Sequence, residues 1–490
     1  MRIGVILGIT AHVAFFVGIA MVVPLGVALY YGEGDATPIA WSMAVTVAVS
    51  GLASLAFKAP EDEISRREGM LITTMTWIAV SAFGALPLFL AKTLGPMNAE
   101  NFLNCLFESV SGFTTTGSSI LGASVPIEKV PHGLLFWRSF THWLGGMGII
   151  VLAVAILPML GVGGMQLFRA EASAHMHERL RPRIRECAIA LWAVYAIITV
   201  LGTVLYLAGG MPLFDSLCHT FAALASGGFS TKDASIGYYR SFYIEAVSMF
   251  IIFLGTVSFS IHYLAWSKSL KSYWRDSQFR YYVAFLLIGI LFVCVVLYFG
   301  GGYASPLHAV RYGTFQAMSI MSTTGFAIVD SNPWPAAARI ALIFFMFTGG
   351  CIGSTAGAIK VARVVLLFKF AYREIVRLIH PKVFAAVKLG GKVVHRNVLE
   401  SIAAFFGFYM LLYVVFVIAV ASLGLTLEEA ASGVAATMGG VGPGFGQLGT
   451  MGNYFNVPIG AKAIFIACML LGRLEIFTIL VILSPAFWKK

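Results

Sequence analysis

The sequence predicts an all-α polytopic membrane protein in which two N-terminal helices precede four repeated units arranged around a pseudo-fourfold axis. Three observations lead to this fold class. Of the 490 residues, 59% are hydrophobic and only 11% are charged, whereas soluble domains carry roughly 25% charged residues. Apolar stretches of about 20 residues, long enough to cross a bilayer, recur along the whole chain. A short motif of Gly, Ser and Thr residues recurs four times between them.

The apolar stretches predict ten spanning helices. The first two lie near residues 3–31 and 37–57 and form an N-terminal helix pair over residues 1–58. The other eight form four pairs, near residues 70–92 with 133–160, 184–208 with 241–266, 281–300 with 337–368, and 398–424 with 459–485. The four pore repeats that contain these pairs are predicted at residues 69–168, 184–267, 280–370 and 397–486.

A segment too short to cross the membrane lies between the partners of each pair. These segments cover residues 100–112, 213–224, 306–321 and 427–437. The motifs after them are Thr114–Gly117, Ala225–Gly228, Ser322–Gly325 and Gly439–Gly442, and their last glycines are 111, 97 and 117 residues apart. A period of this kind indicates a repeated structural unit. Because each unit crosses twice, all four share one orientation and can surround one axis along the membrane normal.

The basic residues predict the topology. The formal net charge is +11, and 24 of the 33 Lys and Arg residues fall at Arg2 or in five segments, residues 58–69, 169–186, 266–280, 358–396 and 489–490. Segments rich in Lys and Arg stay on the cytoplasmic side of a membrane, so we expect a multi-pass protein in a lipid bilayer with both termini in the cytoplasm. These clusters flank membrane helices and form no single basic face, which argues against a nucleic-acid partner.

The four polar motifs are suited to a dehydrated cation. Non-helical backbone inside a membrane is tolerated only within protein or along a watery path, and main-chain carbonyls there can replace the hydration shell of a monovalent ion. Glycine permits the backbone angles that aim successive carbonyls inward. The C-terminal ends of the short helices carry partial negative charge, which favours a cation. The alternative for any single motif is a Gly/Ser turn in an outer loop, but four copies in equivalent positions favour the ion site.

Longer motifs carry a family resemblance that covers nearly the whole chain. They are Ser65–Gly69, Trp143–Ile150, LGVGGMQLFRAE from Leu160, GGFSTKDASIGYY from Gly227, GGCIGSTAG from Gly349 and LGRLEIFTILVILSP from Leu471. With these motifs the sequence resembles the membrane subunit of the Trk/Ktr/HKT superfamily of potassium transporters, most closely its bacterial TrkH/TrkG type. The resemblance implies uptake of potassium across the bacterial inner membrane, with potassium as the transported substrate.

The resemblance also implies the site and the partners. Potassium would bind in a selectivity filter formed by Thr115, Thr116, Gly117, Gly227, Gly228, Thr323, Thr324, Gly325, Gly440, Val441 and Gly442. In relatives, serine at the first glycine position accompanies sodium preference, so Gly117 favours potassium. The family further implies a homodimer regulated by cytosolic RCK-type subunits that bind NAD(H), ATP or ADP, with no nucleotide bound by this chain.

Two features of the apolar helices predict a gate. The run Thr348–Gly357 is dense in glycine, which interrupts a helix. It either packs closely through small residues or forms a pore-lining loop, and the resemblance implies a gating loop with Gly349, Gly350, Gly353, Ser354, Thr355 and Gly357, coupled to the basic segment from Lys360.

The second feature of the gate is an arginine in the last apolar helix. An arginine inside a membrane is functional by default. Arg473 is either satisfied by the carbonyls or an acid of another helix or, as the resemblance implies, faces the pore below the filter and repels cations. Glu475, two residues on, does not share its helix face.

Three competing functions follow from the sequence. An enzyme is not expected, because the chain lacks the phosphate-binding, zinc-protease and nucleophile-elbow motifs. An ion-coupled secondary transporter of another small solute would show broken spanning helices in both halves, and only residues 337–368 are expected to be broken. A less selective potassium and sodium pathway remains the third alternative.

Overall fold

The structure is a computed structural model, and it describes residues 1–57, 65–123, 125–155, 184–380, 386–474 and 476–489. The predicted ends of the N-terminal pair at 58 and of the first repeat at 168, the motif that starts at Leu160, and Glu475 all lie outside these ranges. The described residues are largely helical, as the hydropathy predicts.

The N-terminal pair of spans consists of three helices, because the first span is divided into two. They are α1 (Ile3–Ala20), α2 (Val22–Tyr31) and α3 (Ala36–Ala56). The first span is divided at Met21 because Pro24, in the first turn of α2, has no N–H to donate to the preceding turn. α1 and α3 pack closely where a Cβ added to Gly18 would lie 2.9 Å from the Val47 side chain.

Four units follow, and in each of them a short helix leads directly into one of the polar motifs. The first contains α4 (Arg66–Gly84), α5 (Leu86–Leu90), α6 (Ala99–Phe113) and α7 (His132–Ala155). The second contains α8 (Ile184–Ala208), α9 (Leu213–Leu224), α10 (Phe242–Thr256) and α11 (Phe259–Ser267), and α12 (Lys271–Arg275) leads to the third.

The third and fourth units repeat this order. The third contains α13 (Ser277–Phe299), α14 (Pro306–Met321), α15 (Ala336–Phe345) and α16 (Val361–Ile379), with β1 (Thr348–Gly349) and β2 (Ile359–Lys360) between the last two helices. A hairpin of β3 (Lys388–Leu389) and β4 (Lys392–Val393) leads to α17 (Arg396–Ser422), α18 (Leu427–Gly439), α19 (Ile459–Arg473), α20 (Ile476–Leu483) and α21 (Pro485–Trp488).

The short helices begin where the sequence places capping signals. The Asn98 side chain accepts the N–H of Asn101 at the start of α6, and Thr426 with Glu429 forms a capping box at the start of α18. α14 starts with Pro306, whose missing N–H costs nothing at the first helical position. Each short helix is therefore an independent element and not a frayed end of its neighbour.

The second long helix of unit two is broken, where the sequence predicts one continuous helix over 241–266. α10 and α11 meet at 96°. The carbonyls of Gly255 and Thr256, left free by the break, accept main-chain N–H groups of residues 346–360, the third-unit loop, at 3.1 and 2.9 Å. The Phe259 N–H donates to a carbonyl of the same loop at 3.0 Å. The expectation of a single broken helix was wrong, because the partners that stabilise this break are distant in the sequence.

Other interruptions also divide spanning helices. The predicted break in residues 337–368 is present between α15 and α16, and α19 and α20 lie at 112° to each other. Within the described residues, six helices are long and apolar enough to cross a membrane, or eight if each bent pair is one span. The architecture of ten spans and the repeat boundaries remain predictions.

Candidate functional site: a ring of main-chain carbonyls

The four short helices end in the same way. In each, an N–H donates to the carbonyl five residues earlier, at 2.8–2.9 Å, in the pairs Thr116 with Ser111, Gly227 with Ala222, Thr324 with Ser319, and Val441 with Ala436. The residue before each of these donors has a left-handed backbone: Thr115, Ser226, Thr323 and Gly440, with φ between 53° and 67°. This is the geometry of a helix end closed by a left-handed residue. It turns the chain sharply at the same point of every unit.

The turns bring the four motifs into one closed ring. Gly117, Gly228, Gly325 and Gly442 all have positive φ. A Cβ added to the first three would overlap a carbonyl oxygen of the next unit, that of Gly227, Thr324 and Val441 respectively. A Cβ on Gly442 would lie 2.7 Å from the Thr116 carbonyl oxygen, which closes the ring onto the first unit. We call Thr115–Gly117, Ser226–Gly228, Thr323–Gly325 and Gly440–Gly442 the carbonyl ring.

The ring thus contains every residue that the sequence places in the filter. Its Thr, Ser and Val members are almost completely buried, whereas Gly117, Gly228, Gly325 and Gly440 are partly exposed. The last glycines of the four motifs also line one cavity, the outer cavity, whose wall continues into residues after these glycines in units one, two and four, including Ser118, Ser230, Pro443 and Tyr454. In the described ranges no group of three or more His, Cys, Asp or Glu residues could hold a metal. Main-chain oxygens at the ends of four helices are groups of the kind that can replace the water around a monovalent cation.

The third-unit loop lies against the opposite face of the ring. The N–H of Gly357 donates to Thr323 Oγ1 at 2.7 Å, and Thr355 Oγ1 lies 3.0 Å from Ser226 Oγ. A Cβ on Gly357 would overlap the carbonyl of Gly439, next to the ring. The residues that contact the loop come before the ring glycine in units two, three and four. The residues that line the outer cavity come after the ring glycine. The ring therefore separates the loop from the outer cavity.

The conformation of the loop is stabilised by main-chain contacts within the loop and with α10, and by two of its side chains. β1 and β2 pair in parallel, with Gly349 opposite Lys360. Gly350 approaches the Thr256 carbonyl so closely that a Cβ would lie 2.5 Å from its oxygen, and Gly353 has φ +76°. Two side chains then close the turn. Ser354 Oγ donates to the Cys351 carbonyl at 2.6 Å, and the Lys360 ammonium donates to the Ala356 carbonyl.

Arg473 joins the loop to the first unit. Its guanidinium donates to the carbonyl oxygens of Thr355 at 3.0 Å and Gly145 at 3.2 Å, and lies 6.0 Å from the centre of the Trp77 ring. Carbonyls of other elements thus accept two N–H groups of this side chain, as one of the alternatives from the sequence expects, whereas its buried Nε has no hydrogen-bond partner among the described residues. Because Thr355 also contacts Ser226, a single residue connects Arg473 to the ring.

One buried ion pair beside the ring was not singled out from the sequence. Arg138 Nε donates to Glu108 Oε1 at 2.6 Å, and the two side chains are 3% and 1% exposed. Glu108 lies on α6 and Arg138 on α7, within the first apolar pair. The rule that marks an arginine in an apolar helix as functional applies to Arg138 as well as to Arg473. This rule could have marked Arg138 from the sequence, but it does not identify Glu108 as the partner of Arg138.

Comparison with known proteins identifies the family. The family described as TrkH, a cation transport protein, matches residues 37–490. The Trk system potassium uptake protein TrkH of Halomonas elongata is 39% identical over 494 residues and 100% of both chains, and that of Escherichia coli K12 is 38% identical over 96% of each. The crystal structure of the potassium transporter TrkH from Vibrio parahaemolyticus matches 100% of both chains with a TM-score of 0.91 and 34% identity. The chain belongs to the TrkH family of cation transport proteins, a family of transporters and not of enzymes.

Proposed function

We propose that this chain carries potassium through the carbonyl ring, which acts as its selectivity filter. The observation that carries the proposal is the closure of the ring: each of four units presents a glycine to a main-chain carbonyl of the next. Four converging sets of carbonyls can replace the water around a monovalent cation. The relatives named as potassium uptake proteins support potassium as that cation.

The ring favours a pore over an ion-coupled transporter of another solute. Broken helices such as α10 and α11 occur in secondary transporters, where half-helix ends line a substrate site. Here the main-chain groups at that break bond to the third-unit loop, so they do not face an open cavity.

A less selective potassium and sodium pathway is the second candidate. A Cβ on Gly442 would lie 2.7 Å from the Thr116 oxygen, farther than at the other three junctions of the ring. Gly440 also lacks the side chain that Thr115, Ser226 and Thr323 carry at the equivalent place. A looser fourth junction weakens discrimination between ions of different size.

The third-unit loop is the proposed gate. It lies on the face of the ring opposite the outer cavity, with Thr355 and Gly357 bonded to residues of the ring. Arg473 holds the same loop and adds a positive charge there, which opposes the passage of cations. Opening would require the loop to leave Thr323, Ser226 and Arg473 together.

The cellular setting completes the proposal. The apolar and basic segments predict a multi-pass protein with both termini in the cytoplasm, and the family resemblance implies the bacterial inner membrane. α16, which begins directly after the proposed gate, carries four Lys and Arg residues, so a cytosolic partner that binds α16 could move the loop. We propose a homodimer regulated by RCK-type subunits that bind NAD(H), ATP or ADP, while this chain binds no nucleotide.

Potassium and sodium fluxes into liposomes that contain the purified chain test the filter. We expect the wild type to pass potassium in preference to sodium. Gly228→Ala places a Cβ on the Thr324 carbonyl and should abolish the preference or the flux. Gly407→Ala is the matched control, because a Cβ at Gly407 meets nothing within 4 Å in the part of the chain that the structure describes. Equal behaviour of the two variants, or a wild type that passes both ions equally, would contradict the proposed filter.

A further inference from the structure

The Glu108–Arg138 ion pair contacts the chain on the outer side of the carbonyl ring in two units. Glu108 Oε2 accepts the N–H of Ile120 at 2.8 Å, and Oε1 accepts the Ser119 hydroxyl at 2.9 Å. Both residues follow Gly117 in the first unit. The carboxylate therefore fixes the segment that leaves the ring.

Arg138 extends the same network to the second unit. Its Nη1 donates to the Ser230 carbonyl at 2.8 Å, and its Nη2 donates to the Ser119 hydroxyl at 3.1 Å. The guanidinium also lies 3.6 Å from the centre of the Phe229 ring. Ser230 and Phe229 follow Gly228, so one side chain holds the segments of two neighbouring units at the first junction of the ring.

The other units have different groups at the position of Glu108, nine residues before the glycine of the ring. That position holds His219, Gln316 and Gly433 in units two to four. His219 Nε2 lies 3.0 Å from Ser230 Oγ, whereas neither polar atom of the buried Gln316 amide has a hydrogen-bond partner within the described part of the chain. Of these four equivalent positions, only the one in the first unit carries a carboxylate.

A buried ion pair is a costly way to stabilise a fold, since its desolvation offsets most of its attraction. Apolar residues of similar volume stabilise a fold as well or better. A rigid network of charge-assisted hydrogen bonds, however, fixes geometry. Selectivity between ions of different size depends on where the ring holds its oxygens.

We propose that Glu108 and Arg138 are positioning residues that fix the first junction of the ring and thereby set the discrimination between potassium and sodium. The inference rests on the proposed filter. Glutamine at position 108 cannot replace the carboxylate, because its two terminal atoms must accept from Arg138, Ser119 and Ile120, and its NH₂ group is a donor. Lysine at position 138 keeps the charge but cannot reach all three partners of the guanidinium.

The test is the ratio of potassium to sodium flux in liposomes for Glu108→Gln and Arg138→Lys. We expect the ratio to fall about tenfold in both, which corresponds to about 1.4 kcal/mol, because each substitution removes a charge-assisted hydrogen bond that fixes the segments after the ring. Glu245→Gln is the matched control. Glu245 is 4% exposed and paired with Arg311 at 2.8 and 2.5 Å, but those bonds join α10 to α14 and not the segments after the ring.

The inference is overturned if Glu108→Gln and Arg138→Lys keep the wild-type ratio, or if Glu245→Gln lowers it equally. A wild type without preference for potassium would instead refute the filter itself. If Glu108→Gln does not yield folded protein, Arg138→Lys and Ser119→Ala decide the question. We expect Ser119→Ala, which removes one hydroxyl from the network, to lower the ratio about threefold, and unchanged ratios in both would refute the inference.

Discussion

Replacing Arg473 with alanine is expected to raise potassium flux through the isolated chain. The substitution removes the hydrogen bonds from the guanidinium to the carbonyls of Thr355 and Gly145, at 3.0 and 3.2 Å. A hydrogen bond to a charged group contributes about 1.5–3 kcal/mol. Loss of the bond to Thr355 therefore raises the ratio of open to closed loop at least about tenfold. The bond to Gly145 joins Arg473 to α7 and orients the side chain without holding the loop itself.

Arg473→Lys separates the two roles of this side chain. An ammonium keeps the positive charge but cannot present two separated N–H groups in the fixed plane of a guanidinium. If the charge is the main barrier, lysine keeps the flux low. If the contact with the loop is the main restraint, lysine raises the flux nearly as much as alanine does.

The assay is potassium uptake into liposomes at matched protein density, with thermal unfolding measured in detergent to show that each variant is folded. Gly148→Ala is a suitable control, since it lies on α7 near Gly145 and a Cβ there meets no atom of the described residues within 4 Å. No rise in flux for Arg473→Ala, with folded protein, would refute both roles of Arg473 in the gate.

Three smaller predictions concern other contacts of the described residues. Thr323→Val removes the acceptor of the loop N–H and should raise flux severalfold, since that bond contributes about 1 kcal/mol. Burial and the neighbouring Glu128 raise the pKa of Asp233, which lines the outer cavity. Its carboxylate is therefore protonated at a higher external pH than an ordinary aspartate. Flux should fall about twofold when this charge is lost, because a single charge in water attracts a cation only weakly. Hydrogen bonds from His132 outweigh burial and lower the pKa of Glu33, so Glu33→Gln should lower unfolding stability by at most about 1 kcal/mol at neutral pH.

Each of these has its own check. Thr323→Ser keeps the hydroxyl and should restore low flux. Asp233→Asn should remove the acid-dependent fall in flux, and an unchanged pH profile would contradict the assignment. The lowered pKa of Glu33 means that its contribution is present above the unfolded pKa, about 4.3, and is lost as pH falls through the lower folded value. The destabilisation by Glu33→Gln should therefore vanish in acid, and a constant difference in melting temperature would refute it.

The sequence alone predicted the features that depend on residues close to each other along the chain. Hydropathy identifies the long helices, and the short segments predicted from residues 100, 213, 306 and 427 begin within one residue of the helices in the structure. The repeat of four motifs places the residues of the carbonyl ring within a few positions. These features can be predicted from the sequence because helix periodicity, capping and glycine turns depend on neighbours a few residues away.

Only the tertiary structure decided which distant groups meet. The break between α10 and α11 depends on carbonyls of Gly255 and Thr256 that bond to a loop about 100 residues later. The closure of the ring by Gly442 onto Thr116, and the pairing of Arg138 with Glu108, likewise join segments whose separation along the chain carries no signal. Burying an unpaired backbone group or charge costs free energy, so the sequence indicates that such a group needs a partner. Which residue becomes that partner is decided by the packing of the helices.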